Sequence, residues 1–101
     1  MELKIFEKED FGALRTLTVD KEVFFCLPDL STILNIKYQT CPVWNEATTF
    51  QIEDSFGNVQ DVKFIDAFQL RKLVLHYKGV LFSCPAYQWI SDVIIPACIN
   101  D

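Results

Sequence analysis

Apolar residues alternate with polar ones in some stretches and recur at helical spacing in others, so the chain predicts a strand, a hairpin, a helix, a second hairpin and two helices in that order. Leu3, Ile5 and Phe6 read as a short first strand that ends in the charged run Glu7-Lys8-Glu9-Asp10. Residues 14–19, Leu-Arg-Thr-Leu-Thr-Val, are rich in β-branched side chains and predict a second strand. Asp20-Lys21, a two-residue turn without glycine, leads into Glu22-Val23-Phe24-Phe25-Cys26, and the pair reads as a β-hairpin. Pro28 and Asp29 announce a helix, because proline suits a first turn and a carboxylate suits the positive helix end. Leu30, Ile33 and Leu34 follow at helical spacing, and the helix is expected to end near Asn35.

Residues 37–49 have weak periodicity and are expected to be mostly loop. Phe50-Gln51-Ile52 and residues 59–65 predict strands around a turn at Ser55-Phe56-Gly57-Asn58. Asp66 can cap a helix over residues 67 to about 77, with Leu70, Leu73, Val74 and Tyr77 on one face and Gly79 as its stop. A last helix starts at Ser83 or Cys84 with Pro85 in its first turn, carries the stripe Trp89, Ile90, Val93 and Ile94, and is expected to end at Pro96. The order predicts a small α+β fold, residues 1–101 as one domain, with antiparallel β-hairpins packed against about three short helices.

Composition changes this picture in two ways. Half of the 101 residues are hydrophobic, nine of them Phe, and a mean hydropathy of +0.17 is high for a domain whose surface is large relative to its core. That excess implies apolar surface open to a homo-oligomer or a protein partner, or else a Phe-rich core with ordinary leftover exposure. Nine Lys and Arg against fourteen Asp and Glu give a formal charge of −5, which opposes the approach of nucleic acid and of an anionic membrane. The N-terminus is charged and lacks a signal-like apolar run, so an intracellular, soluble protein is expected.

Few residues could carry catalysis. His76 is the single histidine, which removes most acid–base and metal schemes, and Cys26, Cys41, Cys84 and Cys98 form no close pair. A pairing of Cys84 with His76 has no local motif behind it. No glycine-rich phosphate loop is present, and Glu53 and Asp54 beside the central turn read as solvated charge. No enzyme activity, cofactor or metal is therefore expected. The cations available to nucleic acid are Arg15, Lys37, Lys63, Arg71, Lys72 and Lys78, of which Arg71, Lys72 and Lys78 would form one edge; no Lys or Arg follows Lys78. Trp44, Phe56 and Tyr38 lie in loop-like segments and suit either base stacking or anchoring of a partner protein.

Three segments together resemble a degenerate Bro-N domain, the N-terminal module of many phage and prophage antirepressors and of baculovirus repeated-open-reading-frame proteins. The first runs from Phe11-Gly12-Ala13-Leu14-Arg15 through Phe24-Phe25-Cys26-Leu27-Pro28-Asp29-Leu30 to Asn35, which stands where the family usually has glycine. The second is Val62-Lys63-Phe64-Ile65-Asp66-Ala67-Phe68-Gln69-Leu70-Arg71-Lys72-Leu73-Val74, and the third, Trp89-Ile90-Ser91-Asp92-Val93-Ile94-Ile95-Pro96, is similar to the family's Trp-Val-x-x-Glu-Val-Leu-Pro. The family's basic segments between the last two helices and after the Leu-Pro are replaced by Gly79-Val80-Leu81-Phe82-Ser83-Cys84 and Ala97-Cys98-Ile99-Asn100. The resemblance thus implies a regulatory module in a bacterial host's cytoplasm. It would bind protein, such as a repressor, another nucleic-acid-binding protein or its own copies, with Val80, Leu81 and Phe82 as the first contact candidates. Direct DNA binding in transcriptional regulation is the alternative that the family implies.

Overall fold

The structure, a computed structural model, describes residues 2–37, 43–76 and 84–99. Among them five strands form one antiparallel sheet: β1 (Glu2–Lys8), β2 (Gly12–Val19), β3 (Glu22–Cys26), β4 (Thr48–Glu53) and β5 (Val59–Asp66), in the order β1-β2-β3-β5-β4. With helices α1 (Leu27–Leu34) and α2 (Ala67–His76) and a helical C-terminal run, the fold is α+β. Radius of gyration is 12.9 Å.

Both predicted hairpins form, β2–β3 and β4–β5, and β1 pairs with β2 to make a third that the sequence pattern did not predict. At the β1–β2 turn the Lys8 carbonyl accepts from the Phe11 N–H at 3.0 Å, and Gly12 follows with φ +99°, a value that glycine adopts without a Cβ clash. Between β2 and β3, where Val19 faces Glu22, Asp20 and Lys21 take φ values of +51° and +69°. Positive φ at both central residues is the backbone of a type I′ turn, whose twist matches that of the strands.

The sheet has two unlike faces because side chains alternate along each strand. One face carries Leu14, Phe25 and Ile65, which pack with Leu27, Leu30 and Leu34 of α1, Leu70, Leu73 and Val74 of α2, and Trp89, Ile90 and Ile94. The other carries a cluster built wholly from strand residues, Leu17, Cys26, Ile52, Val62 and Phe64, edged by Phe24 and Phe50. There Phe50 stands edge-on to Phe24 and Phe64, with ring centroids 5.3 and 5.6 Å apart, the orientation that ring quadrupoles favour.

Both central helices are closed as their sequences predict. Asn35 adopts the left-handed conformation at the end of α1, with φ +57°, and the Ile36 N–H returns to the Ser31 carbonyl at 2.9 Å. At the start of α2 the Gln69 N–H donates to Asp66 Oδ1 at 2.7 Å while Gln69 Oε1 accepts from the Asp66 N–H at 2.9 Å, a reciprocal capping box. Tyr77 and Gly79, expected on and after this helix, lie outside the described residues.

The C-terminal run departs from expectation. Helix α3 (Pro85–Trp89) passes through a π-helical segment, Ile90–Ile94, into α4 (Ile95–Ile99), so Pro96 is inside the helical run and does not end it. Proline cannot donate the usual bond and crowds the carbonyl four residues back. The wider turn relieves this, with the Ile95 N–H reaching back to the Ile90 carbonyl just before the proline. The extra residue in that turn also rotates Val93 out of the predicted stripe. It is 51% exposed, whereas Ile90 and Ile94 are fully buried.

The segment expected as mostly loop also contains structure. Trp44–Glu46 forms one turn of 3-10 helix, and β4 starts at Thr48.

Candidate protein-interaction surface

Among the predicted cations, Arg15, Lys63 and Lys72 have partners within the molecule. Arg15 grips Asp29 at the start of α1 through Nε to Oδ2 at 2.9 Å and Nη2 to Oδ1 at 3.2 Å, a two-pronged ion pair. The Arg15 backbone N–H donates to the same Oδ2 at 3.0 Å, and Nη2 also reaches Cys26 Sγ at 3.3 Å. Donating to the Asp29 carboxylate holds the guanidinium pKa above its ordinary value. Arg15 is therefore a clamp between β2 and α1.

Two more candidates are committed in the same way. Lys63 places its amine 4.4 Å from the centroid of the Trp44 ring and donates to the Trp44 carbonyl at 3.2 Å. Trp44 itself packs against the main core, so it is not the free loop aromatic expected. Lys72 pairs with Glu46 at 3.0 Å, and Gln69 Nε2 donates to the Glu46 carbonyl at 2.9 Å, which ties the 3-10 turn to α2. Arg71 and Lys37 are exposed on α2 and just after α1. Lys78, Tyr38 and the proposed Val80-Leu81-Phe82 contact lie outside the described residues, so the expected edge of Arg71, Lys72 and Lys78 reduces here to Arg71 and an already paired Lys72.

The described cysteines are Cys26, Cys84 and Cys98, and all three are free thiols. Burial pushes the Cys26 thiol up to about 12, the opposite of an activated thiolate. Cys98 is buried with its Sγ 3.7 Å from Thr16 Oγ1, and His76 is exposed at the end of α2. Among the described residues no group of three or more His, Cys, Asp and Glu converges, and no helix is long and apolar enough to cross a membrane.

Phe56 is the candidate that the structure sets apart. It sits at the tip of the β4–β5 hairpin and is 88% exposed, more than any other large apolar residue described. Such exposure of a ring on a loose loop would say little, but this loop is tied. Asp54 Oδ1 accepts from the Phe56 N–H at 2.8 Å and the Asn58 N–H at 2.9 Å, the Asp54 N–H donates to the Asn58 carbonyl at 2.8 Å, and the Gly57 N–H returns to the Asp54 carbonyl at 3.1 Å. Gly57 supplies the positive φ, +84°, that the turn demands. The bonds from Asn58 and Phe56 hold the Asp54 carboxyl below its ordinary pKa.

Around this ring the charge has one sign. Glu53, Asp54 and Asp61 flank the tip, Val59 beside it is 61% exposed, and residues 53–61 contain no Lys or Arg. Asp54 reads from sequence as solvated charge, whereas it organises the turn. The signal was present in Asp-Ser-Phe-Gly-Asn, where an aspartate leads a glycine-containing turn and can bond the backbone two residues on.

No protein-family model matches the chain, and comparison with curated proteins and with solved structures finds no match.

Proposed function

We propose that this chain is a protein-binding regulatory module, antirepressor-like in action, whose acidic β4–β5 tip docks on the basic surface of a nucleic-acid-binding protein such as a repressor. The observation that carries the reading is Phe56, 88% exposed on a turn held by Asp54 and bracketed by carboxylates. A solvent-facing ring on a hydrogen-bonded turn offers an anchor for an apolar pocket on a partner. Carboxylates at its rim match a cationic surround and speed encounter more than they tighten the complex. The net charge of −5 and the internal use of Arg15, Lys63 and Lys72 favour protein over DNA as the partner. The order of Bro-N-like segments along the chain supports a regulatory role in a phage or prophage setting.

Titration of the chain into a panel of purified phage and prophage repressors, followed by calorimetry, tests this reading. Binding of one or more is expected, weakened at least tenfold by Phe56→Ser and reduced by added salt. Absence of binding to every repressor, together with retention of duplex DNA at low salt, overturns it.

A further inference from the structure

We infer that β1 is the dimerisation strand: two copies pair antiparallel along it about a two-fold axis through Ile5, joining their sheets into one of ten strands, five from each copy. The site is independent of the hairpin tip, because β1 and β4 are opposite edges of the sheet. An edge strand offers a row of backbone groups to another strand unless something blunts it.

The direction in which those groups point follows from two hydrogen bonds. Thr16 Oγ1 donates to the Lys4 carbonyl at 3.1 Å, with Thr16 directly opposite Lys4 in the sheet, so that carbonyl faces β2. On the other side of β2, the Arg15 N–H turns away from β1 and donates to Asp29. Alternation of an antiparallel ladder then sends the N–H and C=O of Leu3, Ile5 and Glu7 outward, to the open edge. In a pairing centred on Ile5, Ile5 meets Ile5 of the second copy and Leu3 meets Glu7, so each outward group finds a complement.

Charge selects this register. With Ile5 at the centre, Glu2 of one copy stands opposite Lys8 of the other, and by symmetry this happens twice. Shifting the centre to Lys4 puts Lys4 opposite itself, and shifting it to Phe6 puts Lys4 opposite Lys8, both like-charge pairs. Strand β4 has no comparable code, since Glu53 is its one charged residue. Exposed apolar side chains lie along the same line: Leu3 is 42% and Ile5 56% exposed, and pairing sets Ile5 against its copy and Leu3 diagonal to the second copy's Ile5. Neither Glu2 nor Lys8 is held strongly in the single chain. Glu2 has an exposed contact with Lys4 at 3.4 Å, and Lys8 lies 5.4 Å from the Phe11 ring centroid. One seven-residue strand per copy is a modest interface, so the dimer forms with rising concentration.

Sedimentation equilibrium over a concentration series, on wild type and charge-swapped chains, tests the pairing. Wild type is expected to pass from monomer to dimer and stop there. Glu2→Lys or Lys8→Glu alone weakens the dimer about tenfold, because two attractive cross-strand pairs become repulsive. The double variant Glu2→Lys/Lys8→Glu restores it, and an equimolar mixture of the two single variants forms a heterodimer. In amide exchange the Leu3, Ile5 and Glu7 N–H groups slow as concentration rises, while those of Lys4 and Phe6 do not change. A monomer at every concentration, an open-ended series, a double variant no better than the singles, or concentration-dependent protection on β4 in place of β1 overturns the proposal.

Discussion

Asp29 closes three contacts with Arg15 at once: the guanidinium through both carboxylate oxygens and the Arg15 backbone N–H through one of them. The pair is half-buried, with side-chain exposures of 31% for Arg15 and 19% for Asp29, so water competes only in part. Asp29→Ala removes the guanidinium partner and also orphans a strand N–H. It is expected to cost about 3 kcal/mol, and Arg15→Ala about 2 kcal/mol. Arg15→Lys recovers little, because an ammonium cannot form the fork. Urea denaturation midpoints of the three variants check the order.

Lys21 stores strain in the opposite sense. Its φ of +69° places a Cβ-bearing residue in the left-handed region, within a turn type that strongly prefers glycine there. Lys21→Gly is expected to raise stability by about 1 kcal/mol, read as a higher denaturation midpoint at unchanged slope.

Asp54 makes the Phe56 turn sensitive to acid. Its carboxyl is held below the ordinary value, so the folded turn favours the ionised form. The stabilisation is present above the unfolded carboxylate pKa and lost as pH falls through the lowered one. On acidification the Phe56 and Asn58 amide resonances are expected to move together and their exchange to quicken, with the core amides unchanged. Asp54→Ala should reproduce the acid state at neutral pH and weaken partner binding although Phe56 is still present.

Cys26 gives a dependence at the other end of the scale. Burial raises its thiol from 9.0 to about 12, so between those values the unfolded chain releases a proton that the folded chain keeps. Stability is therefore full below pH 9 and falls as pH rises through that window, by about 1.4 kcal/mol per pH unit from this group. Cys26→Ala should flatten the slope. In alkylation mapped by mass, Cys84, which is partly exposed, should react before Cys26 and Cys98.

Much of the fold was legible in local pattern. Strands from alternation, helices from spacing, the helix end near Asn35 and Asp66 as a cap all depend on residues within a few positions of one another, and each formed. Pro96 was misread because its usual effect assumes an α-helical turn before it, while a π turn accommodates the ring. Val93 left its stripe for the same reason.

The candidate site was legible only at Phe56, where a turn motif keeps its ring away from any core. Arg15, Lys63, Lys72 and Trp44 looked available because their partners, Asp29, Trp44, Glu46 and the core, lie 14 to 26 residues away or across the fold. By itself, then, the sequence determined the element types, the turn chemistry and an acidic charge, all set by short-range sterics and composition. Only the tertiary structure decided which cations were consumed and which strand became an edge of the sheet. Those outcomes depend on sheet order and helix packing, which bring together residues that local pattern keeps apart.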